Sequence, residues 1–191
     1  MDALEAIFTR RSVAKVSDER PSREEIARLL EAAVRAPTHH LTEPWRFVVL
    51  TGPVLEALGD VMAESVRQER AGSPDVEMRA ELARARTLRA PVIVAVVYVP
   101  STHLRALEVE DRYSVGAAIQ NLLLAAHATG LAAHLRTGVA ATDPAVHTFL
   151  ELREGEDIAA FVYLGYPADA PSTPTRRTPA EDRTIWLGWC G

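Results

Sequence analysis

The stretch that decides the fold runs from residue 35 to residue 50 and reads Arg35-Ala36-Pro37-Thr38-His39-His40-Leu41-Thr42-Glu43-Pro44-Trp45-Arg46-Phe47-Val48-Val49-Leu50. Pro37 ends the helix before it, because proline lacks a backbone N–H and pushes its predecessor out of the helical region. Residues 47–50 are apolar and predict a buried strand. The polar side chains between Pro37 and Pro44 are therefore fixed between a helix and a core strand, where a ligand can be held.

Helices are predicted on both sides of this stretch. In the helix from Asp2 to about Arg11, three apolar residues share one face: Leu4, Ile7 and Phe8. The helix that ends at Pro37 begins with Ser22 and Glu25 at capping-box spacing. Residues 75–89 predict a charged, peripheral helix with a thin apolar side formed by Met78, Leu82 and Leu88.

The strongest strand signal is the β-branched run from Pro91 to Pro100, which predicts a central strand because both of its faces are apolar. The helix from Tyr113 to Thr129 is apolar nearly all round, which indicates burial in the core or a contact with a second subunit. The acidic residues before it, Glu108, Glu110 and Asp111, are explained by the helix macrodipole without any chemistry.

The order of these elements predicts one α+β domain over residues 1–191, with a sheet covered by helices. From about residue 167 the prolines crowd together, and the pattern changes to an extended tail. The tail carries Trp186 and Trp189, which are costly to expose and are expected to pack on the body or on another subunit.

Composition narrows the function classes. The 21 basic and 26 acidic residues give a net charge of −5, so no general attraction to nucleic acid or to anionic membranes is expected. The single cysteine, Cys190, favours a reducing cytoplasm. The apolar run Val92–Val99 is too short for a transmembrane helix. The six histidines lack metal-ligand spacing with carboxylates or thiols, so no metal site is expected.

The residues Arg10-Arg11-Ser12, at the end of the first helix, have two readings. Cations suit a helix C-terminus, and two guanidinium groups with a hydroxyl also suit a phosphate. Together with four other runs in the same order, they resemble the nitroreductase family of FMN-dependent oxidoreductases, in particular its short bacterial members. The other runs are residues 29–39 with 43–47, residues 113–126, Gly130-Leu131 with Leu135-Arg136-Thr137-Gly138, and residues 162–167.

The resemblance implies a mostly antiparallel sheet and a homodimer with FMN at the subunit interface. It implies flavin contacts for Arg10, Arg11, Ser12, Leu135, Arg136 and Thr137, and contacts from the other subunit for Arg35 and His39. It further implies that NADH or NADPH gives hydride to flavin N5 and that an electron-poor acceptor, such as a nitroaromatic or a quinone, receives it. No side chain is required as an acid or a base, because the flavin carries the hydride.

Two positions depart from the family pattern. Many members have a basic residue where this chain has Ala14, with Lys15 beside it, and glutamine is frequent where this chain has Glu43. Two other functions stay open on the same fold. One is flavin-dependent dehalogenation or an oxidation by O₂, and the other is an FMN-binding carrier or sensor without turnover.

Overall fold

A computed structural model describes residues 1–169 and 176–189 of the chain. The helices are α1 Ala3–Thr9, α2 Arg23–Ala33, α3 Pro53–Glu69, α4 Val76–Thr87, α5 Glu108–Ala128, α6 Val139–Thr142 and α7 Pro144–Phe149. The strands are β1 Trp45–Thr51, β2 Val92–Tyr98, β3 Ala132–Arg136 and β4 Asp157–Gly165, and short 3₁₀ turns cover His39–Leu41 and Glu181–Arg183.

The four strands form one sheet in the order β1-β2-β4-β3, and every neighbouring pair is antiparallel. All seven residues of β2 are buried. The prediction of a central strand flanked by prolines is therefore confirmed, and so is the α+β fold with an antiparallel sheet.

Helices cover both faces of the sheet. Along β2 the side chains alternate, so Val92, Val94 and Val96 pack in one core with α2 and α5, while Ile93 and Ala95 pack in the other with α3 and α7. Both cores are filled mainly by aliphatic side chains, which makes the sheet a rigid support for the loops at its ends.

Local sequence signals explain how several helices begin. The Ser22 side chain accepts from the Glu25 N–H while the Glu25 carboxylate accepts from the Ser22 N–H, as the capping-box spacing predicts. Helix α7 begins with Asp143 as its N-cap and Pro144 in its first turn. These caps satisfy backbone donors that a helix start otherwise leaves free.

The apolar side predicted for α4 is wrong. Met78, Leu82 and Leu88 are all exposed, whereas Ala80 and Ala83 are buried. Small residues face α3 because the two helices approach closely: a Cβ built on Gly59 would lie 2.8 Å from the Thr87 hydroxyl oxygen. Close packing therefore selected small side chains and left the large ones outside.

The tail leaves the sheet after β4, where Val16 bridges to Pro167. Four apolar residues near its end are exposed: Ile185, Trp186, Leu187 and Trp189. The expectation that the tryptophans pack on the body is not met in a single chain. Part of the predicted tail, residues 170–175, and Cys190 lie outside the described residues. None of the described helices has the length and apolar character needed to cross a membrane.

Candidate functional site

The end of α1 lies against the free edge of β3. The backbone N–H of Val13 donates to the carbonyl oxygen of Ala133 at 3.0 Å, and the Thr9 hydroxyl lies 2.8 Å from His127 Nε2 near the end of α5. These contacts hold Arg10, Arg11 and Ser12 in one short segment beside the strand. Ser12 is exposed, and both arginines are partly exposed.

The turn after β3 supplies the next three predicted residues. Residues 131 and 133 pack in the core with α5, so the alternation of a strand places Leu135 on that same face of the sheet. Arg136 lies on the opposite face, with its guanidinium carbon 5.7 Å from the centre of the Tyr163 ring. Thr137 is exposed at the turn. The α1 segment, residues 10–12, therefore lies beside the strand that carries Leu135 and leads to Thr137, whereas the Arg136 side chain lies on the opposite face from Leu135.

The remaining predicted residues, Arg35 and His39, follow α2. Arg35 is exposed just beyond the helix end, and the next residue, Ala36, is buried. His39 lines a shallow cavity of about 370 Å³ together with Pro37, Thr38, Glu110, Tyr113 and Ser114. The cavity is open to solvent on the side of Tyr113, which is 73 % exposed.

The loop that carries His39 has an unusual backbone. His40, Leu41 and Glu43 have φ angles of 53°, 55° and 43°, a region that side chains other than glycine seldom occupy. On one side of the loop the His40 ring stacks on His103, with ring centres 4.5 Å apart. Partial desolvation, followed by the charges of His39 and His103, lowers the pKa of His40, so the His40 ring is neutral at neutral pH.

On its other side the loop is tied to the first turn of α5. The Thr42 hydroxyl donates to Asp111 Oδ1 at 2.6 Å, and Asp111 is 2 % exposed. Glu110 Oε2 lies 3.9 Å from His39 Nε2. The sequence interpretation of these acids as macrodipole partners missed this contact. No local pattern signals it, because Thr42 and Asp111 are 69 residues apart.

His39 and the predicted residues at the end of α1 lie at opposite ends of α5. His39 is beside Glu110 in the first turn, whereas the α1 segment is beside His127 in the last. Seventeen residues separate these two positions, which is about 25 Å along a helix. Side chains of one chain therefore form two separate clusters rather than one site.

Comparison with known proteins now decides the family. The profile of the Nitroreductase family matches residues 7–166. The chain belongs to the nitroreductase family. This confirms the resemblance drawn from Arg10-Arg11-Ser12 and the four runs that follow it, and it makes the chain an oxidoreductase.

Individual relatives agree with this assignment. "Putative NAD(P)H nitroreductase YdjA" of Escherichia coli strain K12 is 33 % identical over 173 residues, which cover 91 % of this chain and 92 % of that protein. A nitroreductase-like family protein from Bacillus cereus superposes with a TM-score of 0.84 at 26 % identity, covering 98 % of this chain and 97 % of the other. A structure described as a putative nitroreductase in complex with FMN, from Desulfovibrio desulfuricans, gives 0.74 at 27 % identity, with 99 % of both chains covered.

This nitroreductase chain exposes an apolar surface along α1 and α5. Leu4, Ile7 and Phe8 are 64 %, 50 % and 81 % exposed, although the sequence places them on the apolar face of α1. On α5, Val109 and Tyr113 are exposed, and a Cβ added at Gly116 would meet no atom within 4 Å. Large exposed apolar patches on soluble proteins mark protein–protein or membrane contacts, ligand grooves or aggregation-prone surfaces.

The charges of the nitroreductase site are largely uncompensated. Within the part of the chain that the structure describes, Arg10, Arg35 and Arg136 form no ion pair with a carboxylate. Burial, and then the charges of Arg10 and Arg11, lower the pKa of His127. Lys15, beside Ala14, is different because its Nζ lies 2.6 Å from Asp169. The positive potential at the α1 end therefore comes from arginine.

The histidines near the loop do not form a metal site with other side chains among the described residues. No group of three or more histidine, cysteine, aspartate or glutamate side chains in the described ranges has a geometry that holds a metal ion. The imidazoles of His39, His40 and His103 instead contact one another: His40 stacks on His103 with ring centres 4.5 Å apart, and the tilted His39 ring lies 4.1 Å from His40.

Proposed function

We propose that this chain is an FMN-dependent oxidoreductase that takes hydride from NADH or NADPH and passes it to an electron-poor small molecule such as a nitroaromatic or a quinone. The observation that carries the proposal is the pair of guanidinium groups at Arg10 and Arg11, held beside an exposed serine on the edge of β3 in a chain of this family. A related structure is described with FMN bound, and another relative is named as an NAD(P)H nitroreductase.

The residues at the end of α1 fit the phosphate of FMN. A guanidinium group presents parallel N–H donors that match phosphate oxygens, and the Ser12 hydroxyl adds a further donor. Arg10 has no carboxylate partner among the described residues, so binding an anion does not require an existing ion pair to break. Leu135 offers a partly exposed apolar side chain on the sheet face that packs against α5, and such a side chain suits contact with the planar flavin ring.

The second cluster would complete the site from another subunit. His39 lies beside the first turn of α5, and the end of α1 lies beside its last turn, about 25 Å away along the helix axis, while Arg35 is exposed just beyond α2. A second copy packed on the apolar surface of α1 and α5 would bring its own Arg35 and His39 towards Arg10 and Ser12. We therefore propose a homodimer with two equivalent FMN sites, each built from both chains.

Bound FMN would supply the redox chemistry, since its N5 accepts a hydride from NAD(P)H and delivers it to the acceptor. The side chains named here bind and orient, and none is assigned as an acid or a base. Donors near the pyrimidine edge of the ring favour its reduced, anionic form. Ala14 has no side-chain donor and Lys15 is paired with Asp169, so neither of these residues supplies that charge.

The cavity beside His39 and Tyr113 is the proposed place for the acceptor. Its lining includes Glu110, whose carboxylate disfavours anionic acceptors. We propose that residues 1–191 form a single domain. We also propose that the protein is cytoplasmic, because one cysteine in 191 residues is typical of a reducing compartment.

The test starts with purified protein. We expect a yellow protein, or a colourless one that binds added FMN at one FMN per chain, and NAD(P)H oxidation that depends on a nitroaromatic or a quinone. Arg10→Ala should weaken FMN binding, whereas Arg67→Ala, which removes a surface arginine paired with Glu77, should not. A protein that binds no FMN and oxidises no NAD(P)H would contradict the proposal. A protein that binds FMN but is reduced only very slowly in anaerobic stopped-flow would instead be a carrier or sensor.

A further inference from the structure

Contacts with other parts of the chain hold the loop that carries His39 in its conformation. Three of its residues, His40, Leu41 and Glu43, have positive φ angles, so the loop has lower-energy backbone conformations available to it. Such a conformation persists only where surrounding contacts impose it. The contacts that impose it therefore decide where His39 lies.

One contact connects α5 to His39 through two hydrogen bonds. Asp111 Oδ1 accepts from the Thr42 hydroxyl at 2.6 Å, and the backbone N–H of Thr42 donates to the carbonyl oxygen of His39 at 3.2 Å. Asp111 is 2 % exposed and lies in a helix that packs in the core, so the carboxylate is a fixed anchor. A hydrogen bond to an ionised acceptor is about twice as strong as a neutral one.

The neighbouring acid approaches the imidazole directly. Glu110 Oε2 is buried and has no hydrogen-bond partner among residues 1–169 and 176–189, and it lies 3.9 Å from His39 Nε2. That separation is longer than a hydrogen bond, but hydrogen bonds of a binding site are often long before the ligand is bound. A small closure of the loop would satisfy this oxygen and fix the orientation of the ring.

We propose that Asp111, acting through Thr42, and Glu110, acting on the imidazole, are positioning residues that hold His39 for the flavin site of the partner subunit. This inference rests on the proposed function, because His39 has its role only where FMN binds. Neither acid is assigned a contact with FMN. Their contribution is to keep the loop in its binding conformation, and the apparent affinity falls in proportion when that conformation is less populated.

The test is FMN titration of the apoprotein with variants of Thr42. Thr42→Val removes the hydroxyl and keeps the shape, and we expect FMN to dissociate roughly tenfold to a hundredfold more readily. Thr42→Ser restores the hydroxyl and should restore the affinity. The matched control is Thr51→Val at the other end of β1. This change also removes a hydroxyl hydrogen bond to a distant segment, here the Pro91 carbonyl oxygen at 2.9 Å, but at a position away from the loop. It should leave FMN affinity unchanged.

A second readout separates positioning from a general loss of stability. In a His39→Ala background, Thr42→Val and Glu110→Gln should have little further effect on FMN affinity, because the group that they position is absent. The inference would be overturned if the losses of FMN affinity in Thr42→Val and His39→Ala were fully additive, or if Thr42→Val bound FMN with wild-type affinity. Either result would leave the proposed function standing. A wild-type protein that binds no FMN would overturn both.

Discussion

Replacing Gly116 by arginine separates the stability of one chain from the association of two. Gly116 lies inside α5, is exposed, and has no atom within 4 Å of the position that a Cβ would occupy. Glycine in a helix interior costs about 0.8–1 kcal/mol relative to alanine, and arginine is nearly as favourable as alanine. In an isolated chain, Gly116→Arg should therefore raise the free energy of unfolding by roughly 0.5–1 kcal/mol, or about 1–4 °C in Tm for a chain of this size.

Association should change in the opposite direction. If a second chain covers this surface, the substitution buries an unpaired guanidinium group against apolar side chains, which costs several kcal/mol. Each ~1.4 kcal/mol weakens the dimer about tenfold, so the variant should sediment as a monomer at micromolar concentration and lose FMN. Ala85→Arg, on the exposed side of α4, is the matched control and should remain dimeric. A Gly116→Arg variant that keeps both the dimer and the FMN would refute the assignment of α5 to the interface.

Three further predictions concern stability. Glu156 is 6 % exposed and accepts hydrogen bonds from Arg46 and from the Arg153 N–H. Replacing it with alanine should lower the free energy of unfolding, measured by chemical denaturation, by about 3 kcal/mol. A decrease of less than ~1 kcal/mol would contradict this. Gly165→Ala places a Cβ 2.9 Å from Val16 Cβ and should cost about 1–3 kcal/mol by the same assay, so an unchanged midpoint would be inconsistent with this packing. Burial, and then the charges of Arg136 and Arg89, lower the pKa of His134 in the folded protein. The unfolded chain therefore takes up a proton at this histidine at a higher pH than the folded chain does, and stability should fall as the pH drops below about 6.5. The variant His134→Gln should show a smaller fall in Tm over this range, and a fall as large as that of the wild type would contradict the prediction.

The sheet and most helix boundaries were predictable because their causes are local. Prolines bound the run from Pro91 to Pro100 at both ends, and neither of its faces is polar. These two features predict a buried central strand. Ser22 with Glu25, and Asp143 before Pro144, mark helix starts. The capping bonds, between Ser22 and Glu25 and from the Ala145 N–H to Asp143, span three residues or fewer. Sequence alone therefore predicted the framework that supports the site.

The parts that sequence reasoning missed depend on contacts between distant segments. In α4, the large residues Met78 and Leu82 indicated the buried side, but the close approach of Gly59 on α3 favours Ala80 and Ala83 there. The Thr42–Asp111 bond joins a loop to a helix 69 residues later, and neither residue is unusual where it stands. The exposed Trp186 and Trp189 have no cover within the described residues of one chain, so their burial is a question about the assembly.

Mixed dimers test the central claim, that each flavin site is built from two chains, most directly. One chain would carry Arg10→Ala and the other Arg35→Ala with His39→Ala, and a different affinity tag on each would allow the mixed dimer to be isolated. Each parent homodimer should bind FMN poorly at both of its sites. The mixed dimer contains one site in which all of these residues are wild-type, so we predict one tightly bound FMN per dimer. A mixed dimer that binds no more FMN than its parents would contradict the shared site.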